Sequence, residues 1–207
     1  MVKSILLVGV GGQGTVLAGK LIATAALSAG KSVRGAETIG MAQRGGPVMS
    51  CMRIDEPTLA PIAPKGTADL LIGFEPGEAV RCLPYLKENG VVVVSEKAVK
   101  PVSCGMKGAA DYEAEPMLEL LRARTRRLIQ VDTEALAAEC GSPKVVNVIL
   151  LGAAANSGQL GLSLAELERA IRDIVPERFL ELNLKALAAG AAAAAPAEEN
   201  FGLHLAR

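Results

Sequence analysis

Two glycine-rich stretches hold the residues of this chain best suited to chemistry. Gly9-Val10-Gly11-Gly12-Gln13-Gly14 satisfies G-x-G-x-x-G, directly after the aliphatic run Lys3–Val8 and directly before a helical recurrence over Thr15–Ala29. That placement predicts a tight strand-to-helix turn. Its open backbone N–H groups favour a phosphate or another anion, with Gly11, Gly12, Gln13 and Gly14 as the binding residues. A dinucleotide site also wants an acidic residue at the end of the second strand, about 20 residues on. Glu37 is the nearest, and it stands late, inside a glycine-rich segment. A structural turn, another anion site and a dinucleotide site all stay open. In the second stretch, Gln43-Arg44-Gly45-Gly46, a guanidinium fork beside paired glycines can take a carboxylate or phosphate at close approach. A plain surface turn is the alternative. Gly14 with Gly19-Lys20 matches G-x-x-x-x-G-K, but Leu21 replaces the Ser or Thr that would hold magnesium. Lys20 also falls inside the predicted helix, which rejects a P-loop.

The rest of the composition narrows the chemistry. Cys51, Cys82, Cys104 and Cys140 stand apart with no C-x-x-C, and His204 is the lone histidine. No zinc ribbon, iron–sulfur run or imidazole-based triad follows, so neither a catalytic residue nor a metal ligand is assigned. Cys51 reads as small apolar packing. The 22 basic and 22 acidic side chains cancel, and aromatics make up 2% of the chain, which excludes a dedicated nucleic-acid binder. Arg122, Arg124, Arg126 and Arg127 read as a solvated face, with a docking patch for an acidic partner as the minority view. Lys3–Val8 runs at once into glycines and Gln13, so it reads as a buried strand and not as a signal peptide. The longest apolar run, Val145–Ala155, is broken by Asn147 and too short to span a bilayer. A cytoplasmic protein without membrane contact is expected.

The elements that must position these residues follow from pattern. Strands are predicted over Lys3–Val8, Lys31–Ala36, Val48–Ile54, Ala68–Gly73, Val91–Ser95 and Arg127–Val131. Helices are predicted over Thr15–Ala29, Pro76–Glu88, Glu115–Arg126, Thr133–Cys140, Val145–Asn156, Leu164–Ile174 and Glu177–Ala189. The connection from Glu37 to Pro47 is too short and glycine-rich for a crossover helix, so one strand there is expected to run antiparallel. Gly30 should end the first helix, Asp132 should cap Thr133–Cys140, and Ser163 with Glu166 has capping-box spacing. Ala191–Ala195 should extend the last helix until Pro196 stops it, and that helix is expected to pack on a partner or a second copy. The fold class is α/β, three-layered. A mostly parallel but mixed sheet has helices on both faces, and the last third is helical. One domain over residues 1–195 and a tail over 196–207 are expected.

Taken together and in order, these landmarks resemble the gamma-type domain of 2-oxoacid:ferredoxin oxidoreductases. The shared pattern is Gly9–Gly14 with Ala18-Gly19, then Gln43-Arg44-Gly45-Gly46 and a strand ending in Arg53. Ala68–Gly73, Asn89-Gly90-Val91-Val92, Asn147 with Gly152, and Glu181-Leu182-Asn183 with Ala186 and Gly190 follow. The resemblance spans roughly residues 1–190 and implies a catalytic-complex domain over 1–195. A chain of this domain alone is most similar to the small (beta) subunit of the indolepyruvate-type enzymes. It implies a large (alpha) subunit carrying thiamine diphosphate and iron–sulfur clusters, coenzyme A as co-substrate, and ferredoxin as electron acceptor. The implied reaction is oxidative decarboxylation of an arylpyruvate, with this chain inactive alone. Gly11–Gly14 and Gln43–Gly46 would then face the partner's cleft and hold coenzyme A phosphates or order the partner's loops. A free-standing nucleotide-binding enzyme and a pure assembly or regulatory module are the competing readings.

Overall fold

The aliphatic run near the N-terminus forms β1 (Lys3–Val10), buried along its whole length because it lies inside a sheet covered on both faces. The computed structural model describes residues 3–37, 46–55, 60–100, 112–194 and 198–199. After β1 come α1 (Thr15–Ser28), β2 (Val33–Glu37), β3 (Pro47–Ile54), β4 (Ala68–Gly73), α2 (Pro76–Cys82) and β5 (Leu86–Ser95). Then follow α3 (Glu115–Arg124), β6 (Arg127–Val131), α4 (Thr133–Cys140), α5 (Val146–Asn156), α6 (Leu164–Ile174), α7 (Leu180–Ala193) and β7 (Glu198–Glu199). The strand order is β2-β3-β1-β4-β5-β6-β7.

The pleat of β1 separates two cores. Ile5 and Leu7 join Leu70 and Ile72 under α1, α4, α5, α6 and α7, while Leu6 and Val8 join Leu71, Val92 and Val94 under α2 and α3. This is the expected three-layer α/β arrangement. β1, β4, β5 and β6 are parallel neighbours. The expected antiparallel strand is β3, which pairs with β1 on one side and β2 on the other. β7 pairs antiparallel with Arg127 and Leu128 of β6.

Several local expectations hold. Gly30 takes φ +75 just past α1, and the Asp132 side chain accepts from Ala135 N–H at 3.0 Å as the cap of α4. Ser163 and Glu166 close both halves of the capping box at the start of α6. The hydrogen bonds from Ser163 hold the Glu166 carboxyl below its ordinary value of 4.5. A carboxylate with a lowered folded-state pKa stabilises above its unfolded value and loses that contribution as pH falls through the folded value. Ser163→Ala is therefore expected to cost about 1 kcal/mol at pH 7, from urea unfolding midpoints. The difference from the unaltered chain should shrink as pH drops below about 4.5, since Glu166 then loses its charge.

Other expectations are corrected. The helix from Pro76 does not reach Glu88; α2 ends at Cys82 and a 3-10 turn, Leu83–Tyr85, leads into β5. Pro84 is the cause, since it has no N–H to donate and its ring collides with the carbonyl of Val80 in an α-helix. The strand predicted over Val91–Ser95 starts earlier, so that Asn89-Gly90 lies within β5 at a break in register. Ala68 pairs with Leu86 and Leu70 with Val91, so Lys87–Asn89 bulge to the surface. One face of α7, with Asn183, Ala186, Leu187 and Gly190, is buried within the chain itself. In the basic run, Arg122 pairs with Glu115 at 2.6 Å and Arg126 with Glu88 at 2.5 Å, both at the surface. Between β5 and α3, residues 101–111 lie outside the described residues.

Candidate functional site

β1 hands the chain to α1 on one face of the sheet, and its parallel neighbour β4 hands it to α2 on the other. The crevice at the carboxyl ends of such a pair is where open α/β sheets place ligands. The sequence puts Gly11–Gly14 there, because Gly9 and Val10 complete β1 and the turn follows at once. Gly12 and Gly14 take φ +102 and +82, conformations that side chains with a Cβ rarely adopt.

The turn is fastened on three sides. The Gln13 Oε1 accepts from Val10 N–H at 2.8 Å while its Nε2 donates to Phe74 C=O at 2.8 Å, tying the turn to the end of β4. The Asn147 Nδ2 donates to Gly14 C=O at 3.3 Å from the first turn of α5. Gly11 N–H donates to Gly46 C=O at 2.9 Å, joining the turn to the base of the β2–β3 hairpin. Gln43, Arg44 and Gly45 lie outside the described residues. Of the Gln43–Gly46 stretch only Gly46 is described, and it lies at the same end of the sheet as Gly11.

Gly11 and Gln13 do not offer the open N–H groups expected of them: the first is spent on Gly46 C=O and the second on Val10 C=O at 3.3 Å, which leaves an anion the remaining amides of the turn and of the start of α1. No side chain caps α1, and no acidic residue stands in its first turn. The first amides of α1 and its positive dipole end are thus left to an outside anion. A Cβ on Gly12 would meet nothing within 4 Å, so the outer side of the turn is open to a ligand's approach.

The dinucleotide reading loses support from topology. With β3 inserted between β1 and β2, Glu37 stands one strand spacing, about 4.8 Å, further from the turn than a paired second strand would put it. Its carboxyl lies instead over α1, with Oε1 3.7 Å from where a Gly19 Cβ would be. Lys20 is exposed on α1, beside an open groove of about 450 Å³ along β2 that none of Gly11–Gly14 lines.

The carboxyl end of β4 carries a cluster that sequence reasoning missed. Glu75 is buried to 1% exposure and accepts twice, from Glu78 N–H at 2.9 Å and from the Tyr112 hydroxyl at 2.7 Å. Burial, and then the bond to Glu75, push the Tyr112 phenol above its ordinary range. Burial also raises the Glu78 carboxyl, against the pull of the Arg81 guanidinium that pairs with it. The Tyr112 oxygen sits where a Gly77 Cβ would be, so residue 77 has no room for a side chain. Glu75-Pro76 after a buried strand is readable as a helix start, with proline at its first position. Nothing local announces Tyr112.

Neither Cys51 nor Cys82 is an activated thiolate. Cys51 is buried, its Sγ accepts from Ala63 N–H at 3.2 Å, and burial raises its pKa. Burial pushes the Cys82 thiol up to about 11. Among the described residues no group of three or more His, Cys, Asp or Glu is placed to hold a metal ion, so they supply no donor set for an iron–sulfur cluster. No helix among them is long and apolar enough to cross a membrane.

Comparison with known proteins decides the family. Residues 4–193 match pyruvate ferredoxin/flavodoxin oxidoreductase. The chain belongs to that family. Within it, the chain is a small subunit of a 2-oxoacid:ferredoxin oxidoreductase. It is 38% identical over 188 residues to the indolepyruvate oxidoreductase subunit IorB of Archaeoglobus fulgidus, covering 90% of this chain and 92% of that one. The gamma subunit of a keto/oxoacid ferredoxin oxidoreductase from Geobacter sulfurreducens has the same fold, with a TM-score of 0.70 and 27% identity over 94% of this chain and 97% of that one. The 2-oxoglutarate:ferredoxin oxidoreductase of Magnetococcus marinus contains the fold within a longer chain, with a TM-score of 0.68 and 21% identity over 93% of this chain and 31% of that one.

Proposed function

We propose that this chain is the small subunit of an indolepyruvate-type ferredoxin oxidoreductase of the cytoplasm, inactive alone, and that its glycine turn and Arg44 hold coenzyme A phosphates at the partner's active-site cleft. A large subunit would carry thiamine diphosphate and the iron–sulfur clusters, for which the described residues here offer no donor set. Thiamine diphosphate would supply the carbanion chemistry there. The reaction is oxidative decarboxylation of an arylpyruvate with coenzyme A, giving an aryl-acetyl-CoA and carbon dioxide while ferredoxin takes the electrons.

The observation that carries the reading is the hydrogen bond from Gly11 N–H to Gly46 C=O. It ties the glycine turn to Gly46, the last residue of the second anion-suited stretch and 32 positions on from Gly14, which supports a shared role for the two. Two relatives lend support. The Archaeoglobus fulgidus relative is an indolepyruvate oxidoreductase subunit, and the Magnetococcus marinus enzyme holds 2-oxoglutarate, coenzyme A and succinyl-CoA. The contribution of this chain is positioning and charge compensation, with the substrate's reacting carbon held elsewhere.

Arg44→Ala and Gly12→Ala, each reconstituted with the large subunit, test it. Each should raise KM for coenzyme A about tenfold or more, Arg44→Ala by the worth of a charge-assisted hydrogen bond and Gly12→Ala by a methyl group on the side the ligand approaches, with kcat at saturating coenzyme A retained. Gly12→Ala should still fold, since its Cβ meets nothing within 4 Å and only the positive φ is strained. Unchanged KM in both assembled variants would refute coenzyme A binding at this turn.

A further inference from the structure

We infer that Gln13 is the positioning residue of the glycine turn: its carboxamide clamps the turn to the β4–α2 corner and so sets the α1 amides in place before any ligand arrives. The inference rests on the reading that the turn holds coenzyme A phosphates.

The argument starts from what a carboxamide can do. Val10 offers a donor and Phe74 an acceptor, and Gln13 meets both at 2.8 Å with its two amide ends. A neutral amide is the side-chain group that accepts and donates at that reach at pH 7; a carboxylate only accepts and a lysine only donates. The clamp has a built recess. A Cβ on Gly9 would lie 2.6 Å from Gln13 Oε1 and 2.8 Å from Phe74 Cβ, so glycine at position 9 makes the room the amide occupies. Phe74 is itself fixed, donating its N–H to Val8 C=O at 2.7 Å with its ring fully buried. Gln13 therefore fastens the turn to a rigid point of the core, and not to another loop.

Three fastenings converge on this turn, and Gln13 supplies the one to β4. Asn147 holds Gly14 from α5, and Gly46 holds Gly11 from the hairpin. A turn held this way in the free chain spends no binding energy on ordering when the anion arrives. The role of Gln13 is consequently seen in affinity and not in the chemical step.

Gln13→Met tests it, because methionine keeps the length and volume while removing both hydrogen bonds. The full-length variant should fold, with hydrogen exchange at the Val10 amide accelerated about tenfold or more, the loss of one hydrogen bond's protection. In the complex reconstituted with the large subunit, coenzyme A titrated directly should bind about tenfold more weakly while kcat at saturation changes by no more than about twofold. Val10 protection that survives in the variant would overturn the clamp. If Arg44→Ala and Gly12→Ala weaken coenzyme A binding and Gln13→Met does not, the positioning role is wrong and the binding reading stands. If none of the three weakens it, the binding reading has failed and this inference falls with it.

Discussion

Gly190→Ala is expected to lower the melting temperature of the chain by about 10 °C, the largest stability effect of any single methyl group here. α5 and α7 cross with their backbones in contact. A Cβ on Gly190 would stand 1.9 Å from Ile149 C=O, and one on Gly152 would stand 2.1 Å from Leu187 C=O. Both neighbours are backbone atoms of buried helices and cannot swing aside, so the helices must separate. Separation unpacks Ile149, Leu150, Ala186 and Leu187 together. Overpacking of this kind costs about 3 kcal/mol, and for a chain of this size each kcal/mol moves the transition by about 2–4 °C. Gly152→Ala should do the same. The double variant should fall well short of the sum, because helices already forced apart accommodate the second methyl. Calorimetry on the four proteins reads this directly, and an additive pair would mean that the two contacts yield independently.

Glu75→Leu is expected to destabilise the chain by about 3 kcal/mol and to abolish activity of the reconstituted enzyme. The carboxylate is almost fully buried and serves two donors, the Glu78 N–H at the start of α2 and the Tyr112 hydroxyl. Leucine fills the space and leaves two donors without their acceptor, the buried Glu78 N–H and the partly buried Tyr112 hydroxyl. Because Glu75 directly follows Phe74, whose carbonyl anchors Gln13, slippage of this corner loosens the glycine turn as well. Tyr112→Phe removes one donor along with one bond and should cost only about 1 kcal/mol. Equal losses for Glu75→Leu and Tyr112→Phe, measured by urea titration, would show that the corner does not depend on the carboxylate.

Much of the fold was readable from local chemistry. The aliphatic runs of β1, β4, β5 and β6 and the caps at Asp132, Ser163 and Gly30 act over a few residues, so their sequence neighbours decide them. The early end of α2 was also local, but the proline that matters is Pro84 and not Pro76. The missed bulge at Lys87–Asn89 had a different cause. It depends on the offset between two strands, which neither strand encodes alone.

The candidate site divides in the same way. Gly11–Gly14 is visible as a motif, since the positive φ of Gly12 and Gly14 demands glycine. The bond from Gly11 to Gly46 depends on β3 running back beside β1. Gly152 and Gly190 stood out only through resemblance, because the reason for each lies in the other helix. Glu75 and Tyr112 are 37 residues apart and carry no mutual signal.

By itself, then, the sequence determined the element types, the glycine turn after β1, the lack of C-x-x-C spacing and the family, since these rest on residue type and short spacing. Tertiary structure decided that β3 separates β1 from β2 and carries Glu37 away from the turn, that Gln13 spends its amide on the backbone, and that a buried carboxylate stands at the adjoining corner. Those outcomes depend on strand order and on which distant atoms a closed core forces together, and neither is a property of any one stretch of chain.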